Sequence, residues 1–452
     1  MQRREFLQQS SVGTASLGAA LAVGGFFAGC STQRAASKNL VNGKIVVMCG
    51  GIRGRGNQLF TEFGKCEDVD VKYVCDIDTE VLDRRTGEFT SKFGRTPEKI
   101  KDYRQALDDK QCDAIVMGTP DHWHALPAIH ACQAGKDVYS EKPDGQNLVE
   151  GQVMAAAAKK HGRIIQLGTQ ARSDPKLLEL VDYVKQGVLG RPMMAKAWES
   201  TKQKNLGKPA DGPAPATVDY DVWLGPAPKR EFNPLRFHSN WRWFFDYGGG
   251  DLANDGIHRL DQARWFLDVA MQAAGEKPLG MPTKVSSLGG KYYFDDAQEW
   301  PDTMMTTYDY PSGKLLTYEM RIWTSYPLHE EGEGAAVLGD QGSLVIGGSR
   351  WRHFGPKGEL VKEETRAKSN ADEAHVRNFL DCMRSREQPR ASQETIGRES
   401  SLLSHLGNAA WRTGKTLEFD YDAYRFKDES ANQFLTRAEY RAPYVLPKLS
   451  EV

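Results

Sequence analysis

The chain carries no excess of charge of either sign. Its 59 lysines and arginines face 60 aspartates and glutamates, a formal net charge of −1, and no basic tract breaks that balance. Such neutrality excludes a nucleic-acid binder that works by neutralising phosphates. A run of about twenty strongly apolar residues is also missing, so no spanning helix is expected. The most apolar uncharged stretch, residues 11–28, is rich in Gly, Ala and Ser. Cysteine occurs without a framework. Of seven cysteines, the six beyond Cys30 show no C-x-x-C spacing and several fall in expected strands, which points to buried thiols rather than disulfides. His122 and His124 form an H-x-H pair, but no cysteine or carboxylate cluster at ligand spacing joins them, so no metal site is expected. No internal repeat is visible.

What is present begins with glycine. Residues 44–48 form a short apolar run that ends in Cys49-Gly-Gly-Ile-Arg-Gly-Arg-Gly56, and residues 57–63 read as a helix. Strand, glycine turn and helix let backbone N–H groups approach a pyrophosphate, and the helix N-terminus favours its charge. Against the pattern G-x-G-x-x-G, Gly51 and Gly54 take the second and third places, with Ile52 and Arg53 between them. Cys49 stands where the first glycine belongs. The next apolar run, residues 69–75, ends at Asp76. An acid about twenty residues past the glycines accepts hydrogen bonds from a ribose diol and repels a 2′-phosphate, which favours NAD over NADP.

The alternation continues. Strands are expected at residues 112–118, 136–140 and 163–167, with helices at 125–135 and 150–162 between them. This reads as a doubly wound parallel sheet, an α/β Rossmann domain. Ligands of such sheets bind beyond the carboxyl ends of the strands, where Thr119, Asp121, Glu141, Lys142 and Gln170 all fall. Beyond residue 171 the pattern changes to an amphipathic helix at 175–188 and strands at 193–200, 284–294, 303–310, 314–323, 335–338 and 342–346. Helices follow at 371–385 and 396–413. That half is expected to be α+β with an open, mainly antiparallel sheet. The expected divisions are residues 43–170, 171–420 and an extended tail at 421–452 that could wrap a neighbour.

Asp76, Thr119-Pro-Asp-His-Trp-His124, Glu141-Lys-Pro143 and Gly248-Gly-Gly-Asp-Leu-Ala-Asn-Asp-Gly-Ile-His258 together resemble the Gfo/Idh/MocA oxidoreductase family, from about Lys44 to about Thr416. The resemblance implies a Rossmann domain followed by a sheet domain whose face covers the nicotinamide and holds a sugar, a cyclitol or a derivative. It implies that Thr119, Pro120, Trp123 and His124 pack the cofactor's ribose and nicotinamide region, and that the loop with Gln170 contacts the nicotinamide side. The family's catalytic lysine and histidine match Lys142 and His258. Its aspartate, four residues before the histidine, is Asn254 here, so either Asn254 keeps an uncharged orienting hydrogen bond or Asp255 takes over. Oligomers are expected on the same ground.

The chemistry wants such groups. Oxidising a secondary alcohol removes a hydride and a proton, and a general base must reach the hydroxyl. His258 titrates near neutrality, although its place in an apolar helical pattern also suits a core histidine. Lys142 can hold the alcohol oxygen and stabilise developing charge. Arg172 could bind a polar substrate or pair with a carboxylate. Trp241 and Tyr247 offer flat rings that suit sugar faces, though most aromatics in such clusters build cores.

Residues 1–30 read as a twin-arginine export signal, with Arg3-Arg4 ahead of the weakly apolar stretch and Phe27-Ala-Gly-Cys30 resembling a lipoprotein cleavage box. Cys30 would then carry a lipid anchor, with residues 31–42 as a polar tether; plain cleavage to a soluble exported protein is the alternative. Export as a folded protein suggests a tightly held dinucleotide regenerated in place. Three functions remain open: an exported NAD-dependent oxidoreductase of carbohydrates, a redox-neutral NAD-dependent glycosidase or lyase, and a non-catalytic carbohydrate-binding lipoprotein.

Overall fold

The computed structural model describes residues 43–366 and 369–452. The export signal, Cys30 and the polar tether lie outside the described residues.

Six strands make the first sheet: β1 (Ile45–Gly50), β2 (Val69–Cys75), β3 (Glu98–Ile100), β4 (Ala114–Met117), β5 (Asp137–Ser140) and β6 (Ile165–Leu167). Their order is β3-β2-β1-β4-β5-β6 and every pairing is parallel. The order reverses between β1 and β4, which opens the crevice where such sheets take ligands. Every residue of β1 is buried, as a parallel strand covered on both faces must be. The cover comes from α1 (Arg55–Lys65), α2 (Thr79–Phe93), α3 (Arg104–Asp108), α4 (Ala125–Gln133) and α5 (Leu148–His161). Val47, Val71 and Val116 pack with Phe60 and Phe63 on one side, and Met48, Ile115 and Met117 with Ile129 and Met154 on the other. The helix ends follow local chemistry. Asp78 caps α2 and Asn147 caps α5 through side-chain acceptors, and Gly162 closes α5 in the left-handed region at φ 59°. In contrast, α1 follows Gly54 with no side-chain cap and no acid in its first turn.

The second half holds α6 (Pro175–Val184), β7 (Pro192–Glu199), α7 (Tyr220–Leu224), α8 (Gly250–Asn254) and α9 (Gly256–Ala273). There follow β8 (Lys284–Gly290), β9 (Thr303–Asp309), β10 (Leu315–Arg321), β11 (Glu333–Gly339), β12 (Ser343–Gly347), β13 (Arg350–Phe354) and β14 (Leu360–Thr365). Then come α10 (Ala371–Ser385), α11 (Ile396–Thr413), β15 (Leu417–Asp420) and β16 (Arg425–Phe426). The ten strands run β14-β13-β12-β11-β7-β10-β9-β8-β15-β16, with β7 and β10 parallel and the other pairings antiparallel. One face is core: Met304, Tyr308, Leu316 and Tyr318 pack with Leu260 and Phe266 of α9 and Leu403 of α11. The other is open, and Leu288, Met305 and Leu315 lie exposed on it.

The fold class is the expected one, but its edges differ. β13 and β14 extend the sheet beyond the expected strands; in β14 the apolar Leu360 and Val361 are exposed while Lys362 and Glu364 are half-buried, so no apolar–polar alternation marks it. The Rossmann core also does not end at residue 170. Val376, Phe379, Leu380 and Met383 of α10 close one of its faces, and Val452 joins the other. The tail packs on its own chain: Tyr440 donates to Glu150 Oε1 at 3.0 Å and Arg441 pairs with Asp221 at 2.7 Å. Apolar surface on a parallel sheet must be covered by something, and remote helices serve as well as adjacent ones.

Phe379 is fully buried and meets Phe63 and Tyr139 edge-on, with centroids 6.2 and 5.9 Å away. Phe379→Ala should therefore cost about 3–5 kcal/mol in urea unfolding. A loss below about 1 kcal/mol would detach α10 from the Rossmann core.

Candidate active site

The glycine turn is built by contact. Gly51 has φ 69°, and a Cβ there would sit 2.8 Å from the Thr119 backbone nitrogen. A Cβ on Gly56 would strike the Gly51 carbonyl oxygen, and one on Gly118 would strike Gly56 Cα. Gly56 and Gly118 thus let α1 press against the ends of β1 and β4, a role that reading Gly51 and Gly54 alone did not assign. Cys49, at the first motif position, is buried inside β1 and does not face the crevice.

Beyond the turn, Asp76 at the end of β2 accepts the Ile52 N–H at 3.1 Å and the Asp78 N–H at 3.1 Å. Burial pushes its carboxyl up to about 6, against those backbone donors. Ile52 is corrected here as a cofactor contact: its side chain is core and its N–H is already spent on Asp76. Arg53 and Gly54 are exposed at the mouth. Arg55, unassigned from sequence, donates through Nε to Glu141 at 2.9 Å and grips Asp372 with two bonds of 2.9 and 2.8 Å. Glu141 is thereby an anchor for the lysine loop.

The lysine and histidine meet in one cleft. Its volume is about 580 Å3, and its lining includes Gly51, Asp76, Thr119, Pro120, Trp123, His124, Glu141, Lys142, Gln170, Trp241, Asn254, Asp255 and His258. Lys142 Nζ donates to the Asn254 carbonyl at 2.7 Å and to Asn254 Oδ1 at 3.3 Å. Asn254 Nδ2 in turn donates to Asp255 Oδ2 at 3.0 Å. The helical path breaks between α8 and α9, so Asn254 and Asp255 share the cleft instead of pointing to different faces of one helix. His258 is half-buried in the first turn of α9. Desolvation, with the like charges of Lys142, Arg259 and Arg55 added, holds its imidazole well below the ordinary histidine range. The half-buried ring lines the cleft rather than filling the core.

Behind this set, Asp251 is buried, and burial, then the charge of Asp255, pushes its carboxyl up to about 8. Asp121, also buried, rises to about 6 by desolvation, opposed by His124 and Lys142. Asp121 was expected here as a strand-end residue, whereas Asp251 was given no role from sequence. His124 places its ring nitrogens 2.6 Å from the Pro143 carbonyl and 2.8 Å from that of Thr119, tying the two strand-end loops together. His122 packs under the Trp223 carbonyl at 2.9 Å.

Two expected substrate contacts are corrected. Arg172 is buried in a two-pronged ion pair with Asp261, 2.9 and 2.8 Å, and lies over the Trp265 ring at 4.6 Å. Its charge is satisfied inside the protein. Tyr247 is fully buried against His122 and Trp223. Of the three, Trp241 alone lines the cleft. The sheet face expected over the nicotinamide is corrected too, since the second half reaches the cleft through residues 222–258 and Tyr444 rather than through β8–β14.

These residues fit a dinucleotide. The uncapped α1, the Gly51 cradle that a Cβ would fill, the Asp76 carboxylate and an unpartnered Gln170 Oε1 meet in one crevice. Fold and site together define a nicotinamide-dependent oxidoreductase. The chain belongs to the Gfo/Idh/MocA family: the model of its NAD-binding Rossmann fold matches residues 46–169, and that of its C-terminal alpha/beta domain matches residues 176–301 and 348–446. The cofactor is NAD.

Among curated proteins, the chain is 32% identical over 119 residues to the uncharacterized oxidoreductase YrbE of Bacillus subtilis, covering 26% of this chain and 32% of that protein. It is 23% identical to the scyllo-inositol 2-dehydrogenase (NAD(+)) of the same species over 71% of this chain and 81% of that one. It is 26% identical to a glycosyl hydrolase family 109 protein of Shewanella baltica over 44% of this chain and 45% of that protein. The first and third matches thus span less than half of those relatives. Among solved structures, the aldose-aldose oxidoreductase of Caulobacter crescentus, in complex with glycerol, superposes with a TM-score of 0.62 at 19% identity, over 83% of this chain and 100% of that one. At that identity the likeness establishes the fold.

With the ionised Asp76 as the expected ribose acceptor, NAD affinity should be full above about pH 6 and weaken as pH falls through it. Calorimetric titration between about pH 5 and 8 checks this. Asp76→Asn should weaken binding and flatten the profile; an unchanged profile would remove Asp76 from the ribose site.

Proposed function

We propose that the protein oxidises a secondary hydroxyl of a sugar, cyclitol or glycoside. One observation carries this reading: Lys142 Nζ, held by Asn254, shares a cleft with a neutral His258 and the dinucleotide turn. Bound NAD supplies the hydride acceptor. The residues do the rest. An ammonium has three N–H donors; two rest on Asn254, which leaves the third for the alcohol oxygen, where it stabilises developing negative charge. The His258 imidazole accepts the hydroxyl proton at a ring nitrogen. Asn254 positions Lys142 without adding a charge and passes its other amide group to Asp255. Trp241 offers a flat face to a pyranose or cyclitol ring.

The match to the glycosyl hydrolase family 109 protein favours a second reading, in which a sugar carbon is oxidised, a substituent is eliminated and the carbon is reduced again. The two part in one assay. Free sugars should reduce the nicotinamide with a lasting absorbance rise. Aryl glycosides releasing phenol with no net absorbance change would select the redox-neutral cycle. In either case Lys142→Ala should lower turnover by about 10²–10⁴-fold while NAD stays bound. Turnover within about tenfold of wild type would take the reaction away from Lys142.

We further propose that residues 1–30 direct export, with a lipid anchor at Cys30, and that the dinucleotide travels with the folded chain. Self-association through the open sheet face is the oligomer reading we favour, because Leu288, Met305 and Leu315 lie exposed together there. Exported protein purified without added nucleotide should carry NAD. Protein that is empty and consumes added NAD stoichiometrically would contradict a closed cycle.

A further inference from the structure

A second cavity, of about 700 Å3, lies apart from the dinucleotide cleft. Residues 146–148, the segment at Phe245 and Asp246, Trp300, one side of α11 and residues 433–441 enclose it. No step of the proposed reaction uses it, and its lining is unlike ordinary surface.

Two features stand out. The first is aromatic: Phe245 and Trp300 meet edge to face at 4.7 Å, and the Arg412 guanidinium lies 4.0 Å from the Phe245 centroid and 4.6 Å from that of Phe434. The second is uncommitted positive charge. Five lysines and arginines line the cavity against Asp246 and Glu439. Arg230 is paired with Asp246 at 2.7 Å and Arg441 with Asp221 at 2.7 Å. Among the described residues neither Arg412 nor Lys229 makes an ion pair, although the charges of Glu299 and Asp246 bear on Arg412. Arg437, 6% exposed, reaches Glu150 at 3.4 Å and the Asp246 carbonyl at 2.7 Å, yet its Nη2 has no partner. Asn408, equally buried, donates to the Gly249 carbonyl at 2.7 Å and leaves Oδ1 unpaired.

We propose that this cavity binds an anionic sugar, one bearing a carboxylate, separately from the substrate in the dinucleotide cleft. Flat rings beside polar groups suit the apolar face of a pyranose. Guanidinium groups suit its carboxylate. The free Asn408 oxygen suits a hydroxyl donor. Exposed cations alone would form a solvated surface, but here they rim an aromatic hollow of ligand size.

The position gives such a ligand leverage on the active site. Gln146, four residues past Lys142, donates to the Phe245 carbonyl at 2.6 Å. Gly249, five residues before Asn254, is held by Asn408 and donates to Asp121 Oδ2 at 3.4 Å. Both chain segments that carry the reacting groups therefore form walls of this second cavity, and an occupant there stiffens both.

The test is calorimetric titration of the NAD-saturated full chain with D-glucuronate, D-glucose and inorganic phosphate. D-glucuronate should bind, and D-glucose and phosphate should each be at least about tenfold weaker. Arg412→Gln and Lys229→Gln, both surface changes that leave ion pairs intact, should each weaken D-glucuronate several-fold with NAD binding unchanged. Lys142→Ala should bind D-glucuronate like wild type. Absent D-glucuronate binding, equal binding of phosphate, indifference to both charge removals, or loss in Lys142→Ala would each overturn the assignment. Turnover is not read, so failure here is distinct from failure of the proposed reaction.

Discussion

The contact between Lys142 Nζ and Asn254, 112 residues apart in the chain, is the join on which the site depends. It ties the end of β5 to the break between α8 and α9, and so brings the two halves of the protein onto one cleft. Around it the charges are arranged with care for sign. Burial first, and then the Lys142 charge in the same cleft, hold the His258 imidazole below the ordinary histidine range. Asn254 binds the lysine through two oxygens without adding a charge and reaches the Asp255 carboxylate with its amide group.

Everything else in the Rossmann half serves to present this join to a dinucleotide. Bare glycine contacts between β1, α1 and β4 bring the backbone close enough for a pyrophosphate. Arg55 links Glu141 to Asp372, so the lysine loop is braced from α10, the same helix whose Phe379 completes the core. Packing and chemistry therefore share one element: α10 covers the sheet and also steadies the segment that carries Lys142.

Much of this was legible in sequence because it rests on local patterns. Strand, glycine turn, helix and acid lie within about thirty residues, and periodicity separates a parallel sheet from an antiparallel one. What was not legible depends on distant partners. Nothing near Arg172 announces Asp261, so a substrate arginine and a structural one look alike until they pair. Arg55 and Asp372 stand 317 residues apart. Tyr247 sits in the same aromatic run as Trp241, and only packing decides that one is core and the other lines the cleft. Ile52 shows the same limit at the backbone, since its N–H belongs to Asp76.

The most direct measurement of the central claim needs no substrate: the titration of His258 by nuclear magnetic resonance in protein labelled with 15N-histidine, in wild type and in Lys142→Met. The account predicts a neutral ring that titrates well below the ordinary histidine range and moves upward once the neighbouring ammonium is gone. A ring that titrates at the ordinary value, unmoved by loss of Lys142, would contradict it.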